Sequence, residues 1–160
     1  MIVPFIKIYN KVFFHLKMDT INPYIYRVAE IKKVIDGDTI DVVIDLGFSI
    51  SLNKRVRLAG IDTPESRTTD NYEKKFGLES KEWLTQKLKT CTDIIIKTDL
   101  PDSTEKYGRI LGWLFVGSQA LSINEEMVVE GYAWPYKGDK KVKDFEKLST
   151  IRRQRGTLVE

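Results

Sequence analysis

The sequence predicts an α+β domain, a five-stranded β-barrel carrying about three helices. Three observations lead there. The chain has 160 residues, the length of one domain at roughly 150 residues per domain. Its hydrophobic fraction of 42% and charged fraction of 31% allow a buried core beneath a solvated surface. Its strand-like segments come as a run of three, then, after an amphipathic helix, a further pair followed by helical segments.

Tyr24 to Asp36 (YIYRVAEIKKVID) is rich in Tyr, Ile and Val and reads as a long strand, although its alternation is loose. Gly37 breaks it. Thr39 to Asp45 places Ile40, Val42 and Ile44 in one phase and reads as a strand with a core face. Leu46-Gly47 and Asn53-Lys54 each offer a turn, so the hairpin tip has two placements. Lys54 to Ile61 reads as the third strand, with Val56 and Leu58 on one face and Arg55 and Arg57 on the other. Pro64 ends this meander because it cannot donate to a ladder.

A polar loop, SRTTDNYEKK, follows. Phe76 to Leu88 then carries Phe76, Trp83, Leu84 and Leu88 at helical spacings. Asp93 to Thr98 reads as a short buried strand, Leu100 to Lys106 as a polar loop, and Gly108 to Val116 as another strand. Asn124 to Glu130 forms a short helix stopped by Gly131, a favoured residue just past a helix end. Lys140 to Arg155 reads as a terminal helix, amphipathic through Val142, Phe145, Leu148 and Ile151. A barrel of five strands with a helix between the third and fourth is the OB-fold arrangement, a common platform for nucleic acid.

Composition narrows the chemistry. A single cysteine, Cys91, rules out an intrachain disulfide and any multi-cysteine zinc site. The only histidine, His15, rules out paired-histidine metal motifs and argues against a Ser-His-Asp triad. No run of 18 apolar residues occurs, so no ordinary transmembrane helix is expected. The net charge of +3 is mildly basic, which fits a nucleic acid that is bound, cut and released better than one held by charge alone. Residues 1–23 read as an N-terminal extension to a domain over 24–160. Within it, 1–17 lacks the pattern of a cleaved signal, and Met18 is an alternative start. A cytoplasmic monomer is the expectation, with secretion as the alternative.

Four segments concentrate acids and cations: Asp36-Gly37-Asp38-Thr39, Arg57, Asp62-Thr63-Pro64-Glu65 and Lys106-Tyr107-Gly108-Arg109. Each alone reads as an ordinary turn or a solvated strand residue. Together they are more specific, because Arg57, Asp62 and Glu65 lie at offsets of five and three and flank one strand end. Carboxylate and carbonyl oxygens suit a hard divalent cation such as Ca²⁺. A phosphodiester repels nucleophiles and gathers further negative charge as it is attacked. A cation and two fixed guanidiniums would stabilise that charge, and a carboxylate could align or deprotonate a water.

In IDGDT, in the R-x4-DTPE run from Arg57 to Glu65, and in KYGR, the chain resembles the staphylococcal (micrococcal) nuclease family, the thermonucleases, over roughly Ile31 to Glu160. The resemblance implies a Ca²⁺-dependent nuclease acting on DNA, with RNA as a further candidate, that breaks the 5′-O–P bond and leaves 3′-phosphate ends. It implies that Asp38 and Asp62 bind calcium through their carboxylates and Thr63 through its carbonyl. Glu65 would activate water, Arg57 and Arg109 would grip the scissile phosphate, and Lys106 and Tyr107 would contact a neighbouring one. Asp36 matches an acid standing behind the metal ligands, and Tyr136 lies near the family's nucleotide-contacting tyrosine. Departures from the family's type enzyme are a longer hairpin between Asp38 and Arg57, fewer lysines in the loop after Glu65, and Glu105 in place of a shorter acid. The competing reading is a non-catalytic OB-fold nucleic-acid-binding module, which would have no reason to hold both aspartates with Arg57, Glu65 and Arg109.

The remaining conspicuous residues read as structural. Trp83 and Trp113 are expected in the core. Trp134 is expected to pack, with base stacking as the alternative. Cys91 is expected as a small buried hydrophobe, and Arg152, Arg153 and Arg155 as a solvated helix end that could touch distant phosphates.

Overall fold

The structure, a computed structural model, describes residues 24–98, 108–138 and 141–157. In chain order its elements are β1 (Ile25–Asp36), β2 (Thr39–Gly47), β3 (Ile50–Leu58), β4 (Ile61–Asp62), α1 (Asn71–Thr90), β5 (Ile94–Lys97), β6 (Ile110–Val116), α2 (Ile123–Val129), β7 (Trp134–Pro135) and α3 (Phe145–Arg155). Strands β1-β2-β3-β6-β5 form a closed barrel. The contact between β3 and β6 is parallel and the others are antiparallel. Closure gives each barrel strand a partner on both sides. The expected barrel, with α1 between its third and fourth strands in the chain, is therefore present.

The barrel core follows from alternation. Ile40, Val42 and Ile44 of β2 and Val56 and Leu58 of β3 are buried together with Ile94, Ile96 and Leu114. Strand β1 alternates poorly because its pairing with β2 shifts register between Val28 and Glu30, Ile31 and Lys33, and Val34 and Asp36. Such bulges bend a strand, and β1 pairs with β2 from Arg27 to Asp36 while its first residues, Ile25 to Arg27, pair with β5.

The hairpin tip settles beside Leu46-Gly47, and Asn53 pairs with Val43 in mid-strand. Strand β3 therefore begins at Ile50 rather than Lys54. The tip is carried by Phe48 and Ser49, both left-handed at φ 52° and 63°. That turn geometry matches the twist of the flanking strands.

The helices need two corrections. Helix α1 starts at Asn71, inside the segment read as loop, because Asp70 caps it by accepting the Tyr72 and Glu73 amides at 2.9 and 3.4 Å. Helix α3 starts at Phe145, not Lys140. Asp144 caps it by accepting the Lys147 amide at 2.9 Å, and Val142, expected on its apolar face, is 71% exposed. No helix among the described residues is long and apolar enough to cross a membrane.

Asn124, at the start of α2, knits the barrel end. Its side chain accepts the Leu114 amide at 3.1 Å and donates to the carbonyls of Ala59 at 2.8 Å and Gly112 at 3.1 Å. It is buried, so truncation strands groups that water does not reach. Each buried polar group left unsatisfied costs about 1–3 kcal/mol. Asn124→Ala is therefore expected to lose about 2–5 kcal/mol of stability in urea denaturation, with the slope m unchanged.

Candidate active site

The site is assembled from two turns pressed together. In the first, between β1 and β2, the Asp36 carboxylate accepts the Gly37 amide at 2.9 Å and Thr39 Oγ1 donates to Asp38 Oδ1 at 2.9 Å. A Cβ on Gly37 would lie 2.9 Å from Thr63 Oγ1 and 3.0 Å from Ser80 Cβ. Only glycine lets this turn rest on the second one. Pairing of Thr39 with Arg57 then sets Arg57 beside Asp38, and the Leu58 amide donates to the Asp38 carbonyl at 2.8 Å.

The second turn returns through β4, which pairs with β7 through Asp62 and Trp134. Arg57 Nη2 donates to Asp62 Oδ1 at 3.0 Å and to the Ile61 carbonyl at 3.3 Å, while its Nη1 forms an ion pair with Asp38 Oδ2. One guanidinium thus joins two carboxylates that are 7% and 4% exposed, Asp38 and Asp62. Lys141 Nζ adds a second cation at 2.7 Å from Asp62 Oδ1. Burial would lower the Lys141 ammonium, but the hydrogen bond and charge of Asp62 outweigh it and hold its pKa above the ordinary value.

Glu65 follows Pro64, and its backbone is held from α1. The Glu65 amide donates to Glu73 Oε1 at 3.2 Å, and Lys143 Nζ donates to the two Glu73 oxygens at 2.7 and 2.8 Å. The Glu73 carboxylate is buried and so depends on these partners. Gly77, one turn further along α1, faces the same peptide: a Cβ there would stand 2.5 Å from the Glu65 carbonyl carbon and 2.6 Å from the Ser66 nitrogen. Glu65 lines a cavity of about 450 Å³ together with Asp36, Thr39, Arg55, Arg67 and Arg109. Burial pushes the Glu65 carboxyl above the ordinary glutamate value. Asp36, Asp38 and Asp62 add to that shift, against Lys141.

The structure thus brings Asp38, Arg57 and Asp62 into direct contact, with the buried Thr63 next in the chain to Asp62. It places Asp36, Glu65 and Arg109 around one cavity. Tyr136 is half-buried just past β7, its amide donating to the Gly60 carbonyl at 2.8 Å. Lys106 and Tyr107, like the loop around them and the N-terminal extension, lie outside the described residues.

Trp134 takes the packing role: it is buried with Phe76 and Leu148, and its Nε1 donates to the Asp144 carbonyl at 2.9 Å. Trp83 and Trp113 are half-buried rather than fully internal, Trp83 stacking on Tyr132 at 5.6 Å between centroids. Cys91 is likewise half-buried, packed against the core rather than within it. Arg152 overturns the solvated-helix-end reading at its position. It is 1% exposed, pairs with Glu79, donates to the Gly131 carbonyl at 2.7 Å and lies 4.2 Å over the Tyr132 ring.

Sequence reasoning missed Glu73, Gly77, Lys141 and Lys143. Only Gly77 left a signal, a glycine inside an otherwise regular amphipathic helix. The two lysines reach the site from 79 and 70 residues away in the chain.

Among the described residues no group of three His, Cys, Asp or Glu side chains forms a metal site. What is present is a pair of buried carboxylates, Asp38 and Asp62, that converge closely enough to share one guanidinium. Two convergent aspartate carboxylates offer oxygen donors of the kind that suit a hard ion such as Ca²⁺.

Comparison with known proteins identifies the family. The family model described as staphylococcal nuclease homologue matches residues 55–155. A protein of Methanocaldococcus jannaschii is 29% identical over 134 residues, which cover 72% of this chain and 62% of that protein. Protein ParB of Escherichia coli is 32% identical over 138 residues, covering 82% of this chain and 70% of that protein. A micrococcal nuclease of Shigella flexneri is 31% identical over 140 residues, 79% of this chain and 70% of that enzyme. The chain therefore spans less than two thirds of the archaeal relative and somewhat more of the two bacterial ones. It belongs to the staphylococcal nuclease family.

Proposed function

We propose that this member of the staphylococcal nuclease family is a Ca²⁺-dependent nuclease that hydrolyses phosphodiester bonds of DNA, and of RNA as a second substrate. It breaks the 5′-O–P bond and leaves 3′-phosphate ends. The observation that carries the reading is the convergence of Asp38, Asp62 and Arg57 in contact, beside a cavity that holds both Glu65 and Arg109. Asp38, Asp62 and the Thr63 carbonyl would hold the ion. Bound there, Ca²⁺ supplies positive charge to the phosphate and a seat for water.

The chain's own groups do the rest. Arg57 and Arg109 offer planar, permanently charged donors to the phosphate oxygens on which charge grows. Glu65 takes the proton of the attacking water. Glu73 and Gly77 keep the Glu65 peptide in place, so the carboxylate arrives already oriented.

The test combines binding, cleavage and product analysis. Calorimetry is expected to show Ca²⁺ bound by the wild-type chain and lost or sharply weakened in Asp38→Ala. Plasmid cleavage is expected with Ca²⁺ and not with chelator, and the labelled products are expected to end in 3′-phosphate. Nucleic-acid binding with no cleavage under any divalent ion would establish the non-catalytic module instead. Ends carrying 3′-hydroxyl would mean that a different bond is broken.

A further inference from the structure

Two arginines that the family's motifs do not assign line the same cavity as Glu65 and Arg109: Arg55 and Arg67. Arg55 lies two residues before Arg57 on β3 and so shares its outward face. It pairs across the strands with Asp41, to whose two oxygens Nε and Nη2 donate at 2.6 and 2.8 Å. An exposed pair of this kind adds little stability. What it does is fix the guanidinium plane at the cavity wall, using only two of the five N–H bonds an arginine carries. Arg67 leans from the loop after Glu65 across the end of β1, where its Nη2 donates to the neutral Ile35 carbonyl at 3.4 Å. That contact positions Arg67 without cancelling its charge. The cavity wall thus holds three guanidiniums and the carboxylates Asp36 and Glu65, with Asp41 paired to Arg55.

Arg109 already has a use in the proposed reaction, at the phosphate being cut. Arg55 and Arg67 stand at the same cavity as a second pair of cations, one paired through its fork with Asp41 and one bonded to a main-chain carbonyl. The ligand that suits such a pair is another phosphate of the same strand. We propose that Arg55 and Arg67 form a phosphate subsite for a nucleotide adjacent to the scissile one. The effect on cleavage rests on the nuclease reading; the effect on binding does not.

The test uses the full chain and two readouts. In chelator, fluorescence anisotropy with a labelled single-stranded oligonucleotide measures affinity against salt. Each phosphate contact on a single strand contributes about 0.7 to the slope of log K on log salt. The double variant Arg55→Ala/Arg67→Ala is expected to shallow the slope by about that amount and to weaken binding about tenfold. Lys89→Ala, exposed in the last turn of α1, serves as the charge control and is expected to leave the slope unchanged. With Ca²⁺, the preference for a trinucleotide over a dinucleotide with a single phosphodiester is expected to collapse in the double variant. Arg55→Lys, which keeps charge but not the fork, should recover only part of it.

An unchanged slope and an unchanged length preference in the double variant would overturn the subsite. A loss in Lys89→Ala as large as that in the double variant would also overturn it, because charge in general would then be responsible. If the wild-type chain cuts nothing yet the slope still shallows in the double variant alone, the nuclease reading fails and the subsite stands.

Discussion

Arg57→Lys is expected to lower kcat by about 10²–10³-fold, the usual consequence of removing one well-aimed donor to a developing charge, while KM changes little. Negative charge on the phosphate grows as water attacks. A group aimed at that growth therefore stabilises the transition state more than the bound substrate. Lysine keeps the charge but offers a point donor in place of the planar fork. The local structure sharpens this expectation. Arg57 sits between Asp38 and Asp62 and also donates to the Ile61 carbonyl, contacts that a single ammonium does not reproduce together.

Alanine is the less informative substitution at this position. It would leave the buried Asp38 carboxylate without the Arg57 ion pair, and removing one partner of a buried pair costs about 3–5 kcal/mol. Steady-state kinetics on a defined oligonucleotide, with thermal denaturation run in parallel, separates the two effects. A Glu65→Gln variant provides the reference, expected to be slowed about 10²–10⁴-fold through loss of the proton acceptor. A kcat near wild type in Arg57→Lys would remove Arg57 from the reacting phosphate.

The barrel was legible where local pattern and final position agree. Ile40, Val42 and Ile44 alternate in the sequence and are buried in the structure, and Val56 and Leu58 behave likewise. Strand β1 was legible as a strand but not by face, because its register shifts move successive residues between faces. The start of α1 was hidden by chemistry. Asp70 caps a helix whose first turn, Asn71 to Lys74, is as polar as the loop before it, so nothing periodic marks the boundary. At α3 the apolar spacing through Val142 imitated a longer helix, and only the cap at Asp144 reveals its start.

The site divides in the same way. Asp38, Arg57, Asp62 and Glu65 were legible because short motifs carry them and two turns bring those motifs together. Glu73, Lys141 and Lys143 were not, because a charged residue in a polar stretch gives no sign that a distant turn will fold onto it. Arg152 shows the limit most plainly. A cluster of three arginines at a helix end looks solvated, yet Glu79, Tyr132 and Phe76 from other elements enclose one of them.

Gly77→Ala is expected to reduce both stability and activity, against what helix propensity alone would give. Alanine in a helix interior is favoured over glycine by about 1 kcal/mol. At an open position the substitution would therefore raise Tm. At Gly77 the added Cβ would lie 2.5 Å from the Glu65 carbonyl carbon and 2.6 Å from its oxygen. These are backbone atoms, which have no rotamer to escape into. Either α1 or the Glu65 peptide must move. Forcing a methyl into a closed contact typically costs about 1–3 kcal/mol, enough to cancel the propensity gain.

The functional loss is expected to be larger than the stability loss. A displaced Glu65 peptide stretches its bond to Glu73, already at 3.2 Å, and swings the carboxylate away from the water it must deprotonate. A misplacement of about 1 Å at a reacting group can cost about 10²-fold in rate. Glu73→Gln should fall between this variant and wild type. It keeps an acceptor for the Glu65 amide but loses the charge pairing with Lys143. Thermal melts and kcat measured on the same preparations decide the matter. A Gly77→Ala chain that melts higher than wild type and cuts as fast would show that α1 does not hold the Glu65 peptide. A fall in kcat well beyond what the unfolded fraction accounts for is the result that the close approach of Gly77 to Glu65 requires.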